Sequence, residues 1–336
     1  TEISIPFVGI ERNDTNDFSS IFGSGNWGIP QSLRKITVTN ETTVKSNAFY
    51  GCQYIEEIVY DSDITEIGAY AFASCHRLDN VTLPDTLESI GEWAFSWCYD
   101  LSSIVIPEGV KTIEYQAFNY CCNLLEVYNY SSFQQHDLWH TSLTSNSVVY
   151  RTDNTPVVRA EANGLEFILG DNGNWYFNKS ERNATSIVFP ESFTTENGEV
   201  TQFIVPNQSF YENKKITSVT VTNAIKEINY DAFYGCENLK EIYNLSDMNI
   251  EKGSYDYGQI GYYAYIIHTS LDDEPLTEVK IDGLIFMKSD DNWFLTGYEG
   301  TERKLVLDEF EYEGKTVSAY EVSPYAFRYN GTVEEL

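Results

Sequence analysis

The chain has 336 residues, and its 51 aspartates and glutamates outnumber its 21 lysines and arginines, which gives a formal net charge of −30. This charge repels phosphate backbones and anionic lipid, so nucleic-acid and acidic-membrane partners are disfavoured. No run of about 20 apolar residues occurs, so no segment is predicted to span a membrane.

The N-terminal part lacks the repeat pattern of the rest. An apolar run over residues 3–10 precedes a polar loop and the glycine-rich stretch 22–28. We predict an N-terminal cap over residues 1–32, because the first coil of a repeat array needs a cover for its core. Thr1 in place of an initiator methionine, and an end in mid-repeat at Leu336, suggest a segment trimmed from a longer precursor.

Residues 33–128 repeat one short phrase. Each copy has alanine before phenylalanine and cysteine three positions after it, with phenylalanines at 49, 72, 95 and 118 and cysteines at 52, 75, 98 and 121. Such a constant spacing, with a period of 23, is typical of a solenoid, in which each repeat forms one coil. The phenylalanines are predicted to plug the interior as a stacked column.

Each coil contains two apolar elements. The first ends in alternating apolar residues, as at Ile104 and Ile106, and this period of two predicts one short strand per coil. The second leads into the Ala-Phe pair and is predicted to form irregular turns on the convex side. Together they predict a right-handed superhelix with one parallel sheet.

The pattern breaks twice, and the two breaks match each other. Polar segments at 129–162 and 245–282 are predicted to be irregular loops. Segments 163–244 and 283–336 are predicted to hold inserted β-hairpins followed by resumed coils. The tetrapeptide Glu126-Val127-Tyr128-Asn129 is answered later in the chain by Glu241-Ile242-Tyr243-Asn244. A larger repeat therefore lies over the small one, and we predict one continuous solenoid.

The phrases L-x-x-I-x-I-P and I-G-x-x-A-F-x-x-C, at a period of 23, resemble the BspA-like leucine-rich repeats, also called the Treponema pallidum type. The resemblance is most specific over residues 78–127 and 225–242, whereas residues 1–32 and 129–162 depart from it. It implies a leucine-rich-repeat solenoid, an extracellular or cell-surface location, and an adhesin that binds host or bacterial surface proteins.

Five cysteines share one repeat position: Cys52, Cys75, Cys98, Cys121 and Cys236. Coils about 4.8 Å apart would permit disulfides by distance, but side chains in one column point the same way instead of converging. We therefore predict buried free thiols that fill space in the core. Cys122 is predicted to point outward and to be the most reactive thiol.

Metal and cofactor sites are not predicted. His136 and His140 are four positions apart, but the glutamate and the third ligand of a zinc motif are missing. The run 171–174, Asp-Asn-Gly-Asn, lacks the other ligands of a calcium loop and is typical of a hairpin turn. No nucleophile motif or phosphate-binding glycine loop occurs, so no catalytic residue is assigned.

The predicted sheet face is the candidate binding surface, because solenoids bind partners across such faces. Its outward strand residues include Glu57, Asn80, Ser103, Glu126, Tyr128, Ser218, Glu241 and Tyr243. The two tyrosines each follow a glutamate at the matching coil of the two large repeats, and they resemble rigid amphipathic contact residues.

Three functions are compatible with these observations. The leading hypothesis is a non-enzymatic, adhesin-like module that binds a host or bacterial surface protein, an extracellular-matrix protein or a glycan, through the sheet face or the loops. The second is a structural spacer that presents another domain of a longer surface protein. The third is an enzyme acting on carbohydrate, which would need a deep pocket with paired carboxylates.

Overall fold

A computed structural model describes residues 1–6, 8, 18–22, 29–60, 63–134, 138, 140–181, 183–323 and 326–327. Within them the chain winds into a strand-rich solenoid with parallel ladders, a 3-10 turn at Phe18–Phe22 and a short turn at Asp256–Gln259, in which Tyr257, Gly258 and Gln259 have positive φ. The predicted solenoid with inserted hairpins is confirmed. Among these residues, no helix is both long and apolar enough to cross a membrane.

The first ladder collects one strand from each coil. Up to residue 151 its strands are β1 (Glu2–Ile5), β2 (Lys35–Val38), β4 (Glu57–Tyr60), β6 (Asn80–Val81), β8 (Ser103–Ile106), β10 (Glu126–Asn129) and β11 (Val149–Arg151). From β4 onward, paired residues in adjacent coils lie 23 positions apart, as for Glu57 with Asn80 and Ser103 with Glu126, whereas Lys35 and Glu57 lie 22 apart. β1 pairs with β2, so the described part of the cap extends this ladder.

The prediction of an irregular loop over residues 129–162 is wrong in its second half. Val149 pairs with Glu126 at the same spacing as in the regular coils, so β11 keeps their register. Leu138 and Leu143 are buried in the same core and replace the missing Ala-Phe phrase. The coil survives because its apolar contacts are made by residues outside the repeat consensus.

A second ladder was not predicted. It contains the two-residue strands β3 (Thr43–Val44), β5 (Glu66–Ile67), β7 (Ser89–Ile90) and β9 (Thr112–Ile113), paired in parallel with an offset of 23. The inner residue of each strand is buried. β5 and β7 are each followed by a glycine, which permits close contact between coils, since a Cβ on Gly91 would lie 2.6 Å from the amide nitrogen of Ala69. The convex side is therefore more regular than predicted.

The turn around each phenylalanine is built by two residues in the left-handed conformation. In six coils they lie two positions before and two positions after the phenylalanine, with φ between 50° and 71°: Asn47, Gly51, Tyr70, Ser74, Trp93, Trp97, Gln116, Tyr120, Gln208, Glu212, Asp231 and Gly235. The amides of Phe49, Phe72 and Phe95 donate across the turns to the carbonyls of Ala71, Ala94 and Ala117, each at 2.7 Å. These turns therefore satisfy their backbone groups between coils.

The phenylalanines form the predicted column. Phe49, Phe72, Phe95 and Phe118 stack with centroid distances of 5.6, 4.9 and 5.1 Å and interplanar angles between 2° and 13°. Phe18 from the cap region packs on Phe49 at 5.6 Å and lengthens the column. All five rings are fully buried. Such ring pairs contribute about 0.5–1.5 kcal/mol beyond their buried area.

The cysteines form a second internal column. All six are free and buried, which confirms the predicted free thiols. The thiols of Cys75, Cys98, Cys121 and Cys236 each donate to the phenylalanine carbonyl of the preceding coil at 3.1–3.3 Å. The column therefore caps backbone acceptors in addition to filling space.

The prediction for Cys122 is wrong. Its exposed fraction is 0%, because the coil that contains Tyr211 packs against the coil that contains Tyr99, with their ring centroids 5.0 Å apart. Burial raises the pKa of the Cys122 thiol to about 12, and the charge of Glu212 adds to the shift. A buried, protonated thiol is a poor nucleophile.

Two three-stranded antiparallel meanders mark the large repeat. They consist of β12 (Arg159–Ala162), β13 (Leu165–Leu169) and β14 (Trp175–Ser180), and of β23 (Thr277–Ile281), β24 (Leu284–Ser289) and β25 (Asn292–Tyr298). Both hairpins predicted over these segments are confirmed. Each meander has a register shift at the matching position, after Glu166 and after Ile285. Asn163-Gly164 and Asp282-Gly283 have positive φ at both residues, as two-residue hairpin turns require.

After each meander the coils resume. The strands are β15 (Ser186–Val188), β16 (Phe193–Thr195), β17 (Gly198–Val200), β18 (Phe203–Val205), β19 (Ser218–Val221), β20 (Ile225–Ile228), β21 (Glu241–Asn244), β22 (Ile266–His268), β26 (Phe310–Tyr312), β27 (Lys315–Val317) and β28 (Glu321–Val322). The first ladder continues here with β15, β19, β21 and β22. The second ladder continues with β14, β18 and β20 and, further along the chain, with β25 and β28. Ser186 and Ser218 are paired despite their wider spacing in the chain, because the β16–β17 hairpin is inserted between them.

The segment 245–282 is also less irregular than predicted. β22 pairs with β21, where Ile266 is the partner of Glu241, so one more coil is completed there. β23 then begins the second meander. The predicted end in mid-repeat at Leu336 lies outside the described residues.

Replacing Phe95 by alanine should lower the free energy of unfolding by about 3–5 kcal/mol, because it removes a buried ring between two stacked neighbours. Urea unfolding followed by circular dichroism measures the change. Tyr230→Ala, at an exposed ring in another coil, should change it by less than about 0.5 kcal/mol. Equal effects of the two substitutions would contradict the column as the main support of the coils.

Iodoacetamide at pH 8 should alkylate none of the thiols of the folded protein and all six after denaturation, since every cysteine is buried. Mass spectrometry counts the adducts. A single adduct on Cys122 in the folded protein would restore the prediction that this thiol points outward.

The same burial predicts a loss of stability at high pH. The pKa values of Cys122 and Cys236 are raised to about 12 from an ordinary value of 9.0, so the folded chain keeps protons that the unfolded chain loses. Their contribution is complete below pH 9 and is lost as the pH rises from 9 toward 12. The urea midpoint should fall less steeply over this interval in Cys122→Ala.

Candidate functional site

An open cleft of about 790 Å³ lies between the coils of residues 76–126 and the block of residues 159–215. It opens beside the gap in the first ladder, where β6 and β8 are not paired with each other. Strand β14 and the turn after Phe210 supply the opposite side. Of the residues predicted for the sheet face, Ser103 and Glu126 line this cleft.

One wall of the cleft is aromatic. His76 stacks on Tyr99 at 4.8 Å, Tyr99 contacts Tyr211 at 5.0 Å, and Tyr211 stacks on Tyr234 at 5.1 Å. Burial lowers the pKa of His76 below its usual 6.5 and raises the pKa of Tyr211 to about 12. This wall is therefore uncharged at neutral pH, and it offers ring surface to a ligand.

The floor of the cleft is a charged triad. Arg159 Nη2 donates to both carboxylate oxygens of Glu126 at 2.7 Å, and Arg159 Nη1 donates to Glu166 Oε1 at 3.0 Å. Burial disfavours the charge of Arg159, but the hydrogen bonds and charge of Glu126 outweigh it and raise the pKa of the guanidinium. Charge-assisted hydrogen bonds thus hold the triad in a fixed geometry.

Glu126 is therefore not the exposed contact residue that was predicted. Its exposed fraction is 1%, because β12 lays Arg159 across the sheet face. Tyr128 keeps an intermediate exposure, and its hydroxyl donates to Glu126 Oε2 at 3.0 Å. That bond holds the ring in one orientation, as a contact residue requires.

The cleft concentrates positive charge within an acidic chain. Five of the 21 lysines and arginines line it: Arg77, Arg159, Lys179, Lys214 and Lys215. Six acidic residues line it as well: Asp79, Asp100, Glu126, Glu166, Glu181 and Glu212. The lining is thus nearly balanced in charge, whereas the whole chain carries −30.

The second large repeat has an equivalent glutamate in a different setting. Glu241 Oε1 accepts from the Tyr243 hydroxyl at 3.1 Å and from the Leu276 amide at 2.7 Å, and it lies 3.0 Å from His268 Nε2. Tyr243 stacks on His268 at 4.5 Å. Burial, followed by the charge of Glu241, raises the pKa of Tyr243 to about 12.

Tyr128 and Tyr243 are each followed by an asparagine, and the two asparagines end their strands in the same way. The side chains of Asn129 and Asn244 donate to the carbonyls of Phe133 and Met248 at 2.8 and 2.7 Å. Their Oδ1 atoms accept from the serine amide two positions later, at 3.1 and 3.2 Å. At these positions the repeat pattern is therefore interrupted by a loop with defined hydrogen bonds, and this loop determines where each strand ends.

The other predicted contact residues do not join the cleft. Glu57 forms an ion pair with Lys35 at 3.1 Å, and Ser218 Oγ donates to Ser186 Oγ at 2.9 Å. The side chain of Asn80 lies outside the described part of the chain. The structure thus places the predicted residues at separate points along the ladder.

The main cleft residues that sequence reasoning missed are Arg159, Glu166, Lys179 and Tyr211. Arg159 and Glu126 are 33 positions apart in the chain. Arg159 lies on an antiparallel meander, and the repeat period of the sequence does not indicate where that meander lies. The sequence contains a hairpin-turn signal on each side of β13, at Asn163-Gly164 and at Asn172-Gly173. Only the second turn was part of the prediction, so the strand that carries Arg159 was missed.

No group of three or more histidine, cysteine, aspartate or glutamate side chains suited to a metal ion occurs in the described ranges. His136 lies outside them, so the pair with His140 is not tested. The run at 171–174 is the turn between β13 and β14, as predicted, and the Asp171 carboxylate accepts from the Tyr150 amide at 2.9 Å.

The fold defines a leucine-rich-repeat solenoid. The BspA type leucine-rich repeat region matches six times, over the ranges 29–143 and 203–255, which together make up half of the chain. The chain belongs to this family.

Several solved structures are similar. A leucine-rich repeat protein from Bacteroides ovatus is 20% identical over 71% of this chain and 61% of its own, with a TM-score of 0.28. The pneumococcal vaccine antigen PcpA is 18% identical over 66% and 53%, with a TM-score of 0.29. A leucine-rich cell surface protein from Faecalibacterium prausnitzii is 17% identical over 71% and 80%, with a TM-score of 0.23.

TM-scores this low do not support an inference about function. The alignments with the first two proteins span 61% and 53% of their lengths. No curated protein matches the chain. The family assignment therefore rests on the repeat match.

Replacing Arg159 by methionine should destabilise the fold by about 3 kcal/mol, because it leaves the buried carboxylate of Glu126 without its counter-charge. The double variant Arg159→Met, Glu126→Gln should recover most of that loss. Thermal and urea unfolding of both variants measure the effect. Lys111→Met, which breaks an exposed pair with Glu88, should cost less than about 1 kcal/mol. A loss in the double variant equal to that in the single one would contradict the charge argument.

Proposed function

We propose that this chain is a non-enzymatic binding module of an extracellular or cell-surface protein, and that it holds its partner in the cleft between residues 76–126 and 159–215. The observation that carries the proposal is the cleft itself, about 790 Å³, with an aromatic wall and a fixed ionic floor. Its volume falls in the range of about 300–1,000 Å³ that ligand sites occupy.

The lining favours a polar partner of mixed charge. Arg159 and Glu126 satisfy each other, so a ligand gains little from displacing either. Lys179 is exposed at the rim, 3.8 Å from Glu166, and is available to a carboxylate or sulfate group. Tyr99 and Tyr211 offer flat surface to a side chain or a sugar ring. A segment of a host or bacterial surface protein, a matrix protein or an acidic glycan fits this chemistry.

The same geometry disfavours catalysis. Glu126 and Glu166 are the paired carboxylates that an enzyme of this kind would need, but both accept hydrogen bonds from one guanidinium. Both oxygens of Glu126 are engaged by Arg159, and one also accepts from Tyr128, so neither faces a substrate. A general acid needs a proton at an open position, and this arrangement holds none there.

The test is a binding assay on a panel of matrix proteins, mucins and sulfated or sialylated glycans. Lys179→Glu should weaken binding at least tenfold, because it places a carboxylate at the rim of the cleft. Lys280→Glu is the matched control: Lys280 is an exposed lysine on the second meander, paired with Glu299, and this change should leave affinity within twofold. Equal losses in both variants would point to overall charge and contradict the cleft.

One further variant and the result of the whole panel separate the alternatives. The double change Tyr128→Ala, Tyr243→Ala tests the sheet face, and binding lost there but kept in Lys179→Glu would move the site out of the cleft. If no member of the panel binds at micromolar concentration, the adhesion proposal fails and the chain acts as a spacer within a longer surface protein.

A further inference from the structure

A strip of aromatic rings runs along the turns of three consecutive coils. It consists of Tyr70, Trp93, Trp97 and Tyr120, and we call it the aromatic strip. Successive centroids lie 6.2, 5.5 and 5.8 Å apart, with interplanar angles of 2°, 17° and 7°. None of the four residues lines the cleft described above. The strip is therefore a separate feature of the surface.

The backbone does not favour aromatic residues at these positions. All four residues have positive φ, between 56° and 59°. Bulky side chains are rare in this conformation, which asparagine and glycine adopt more readily. The other left-handed positions of these turns, in the same coils and in other ones, hold small or polar residues: Asn47, Gly51, Ser74, Gln116, Gln208, Glu212, Asp231 and Gly235. The turn therefore forms with non-aromatic residues at these positions. The four rings are present although the backbone conformation disfavours bulky side chains.

The core does not need them either. The interior of these coils is filled by the phenylalanine column, whose rings are fully buried. The rings of the strip are partly exposed, and Tyr120 reaches an exposed fraction of 48%. Tyr115, 49% exposed, adds its edge to Trp93 at 6.3 Å. A contiguous exposed aromatic patch on a soluble solenoid marks an interaction surface.

The surroundings of the strip select the charge of the partner. Apart from the side chains that line the cleft, residues 63–121 contain one basic side chain, Lys111, and seven acidic ones: Asp63, Glu66, Asp85, Glu88, Glu92, Glu108 and Glu114. One carboxylate contacts the strip directly, since Glu92 Oε1 accepts from Trp93 Nε1 at 3.1 Å, and exposed Glu114 precedes Tyr115 in the chain. Electron-rich rings beside carboxylates attract a cation, whereas a neutral sugar gains hydrogen bonds but no charge attraction from the carboxylates.

We propose that the aromatic strip binds a cationic polypeptide segment rich in arginine. A guanidinium is planar, stacks on aromatic faces and pairs with carboxylates through the same group, so it uses both features of this surface. Lysine offers the charge without the stacking plane. The proposal concerns a second surface and does not depend on the cleft.

The test uses a deca-arginine peptide as the probe at about 0.15 M salt, where attraction between distant charges is largely screened. Trp93→Gln, Trp97→Ser is the informative variant, because glutamine and serine occupy the same turn positions at Gln116 and Ser74. Peptide binding to the wild type should change tryptophan fluorescence and should be tighter than binding of deca-lysine. The variant should lose at least tenfold in affinity by calorimetry. Tyr230→Ala, at an exposed ring of another coil, should lose less than twofold.

Three outcomes would overturn the proposal. One is equal affinity of the wild type and the double variant for deca-arginine, which would assign the binding to net charge. Another is equal affinity for deca-lysine and deca-arginine. The third is binding of a neutral oligosaccharide such as cellohexaose, lost in the variant, without binding of deca-arginine.

A second variant covers the case in which the first one misfolds. The urea midpoint of Trp93→Gln, Trp97→Ser should equal or exceed that of the wild type, because two strained aromatic positions are relieved. If it falls, Glu92→Gln, Glu114→Gln decides, since both carboxylates are exposed. That variant should bind deca-arginine at least threefold more weakly, and unchanged affinity would contradict the proposal.

Discussion

The solenoid depends on the turn around each phenylalanine. Two left-handed residues reverse the chain on either side of the ring, and the phenylalanine amide between them donates to the next coil. The ring then points inward and stacks on the ring of the neighbouring coil. Because one feature closes the coil, fills the core and links successive coils, the first and second ladders need only short strands.

The resulting scaffold tolerates large changes in coil length. Paired residues in the first ladder lie 22 or 23 positions apart in the regular coils, 25 apart between β21 and β22, and 32 apart between β15 and β19. Each extra segment leaves the turn and the first ladder intact, since it is inserted between them. The meanders are the extreme case, and they enter the array by lending one strand, β14 or β25, to the second ladder.

The period of the sequence determined much of this fold in advance. Residues that repeat every 23 positions must occupy equivalent places, so the positions of Phe95 and Cys98 followed from spacing alone. The second ladder escaped prediction because its strands are too short to show alternation. Cys122 was misjudged because the coil that covers it comes much later in the chain, as the contact of Tyr99 with Tyr211 shows.

The candidate site was less predictable than the fold for the same reason. Glu126 and Tyr128 were identified from the large repeat, but the partner of Glu126 comes from an antiparallel meander that crosses the sheet face. Periodicity describes contacts between equivalent residues, and the triad of Arg159, Glu126 and Glu166 joins residues that are not equivalent. The local turn signal at Asn163-Gly164 indicates a hairpin but not which strand it will cover.

The two large repeats show how this scaffold can vary its chemistry without altering its frame. Glu126 and Glu241 occupy the same place, and each is bound by the hydroxyl of the tyrosine two positions later. The remaining partner differs: a guanidinium on the meander in the first unit, and an imidazole on the next coil in the second. Arg159 brings a permanent charge and bridges to Glu166, whereas His268 stacks on Tyr243. A partner that contacts both large repeats would therefore meet the same tyrosine and glutamate in two different electrostatic settings. Equivalent positions of the two repeats need not have equal affinity for that partner.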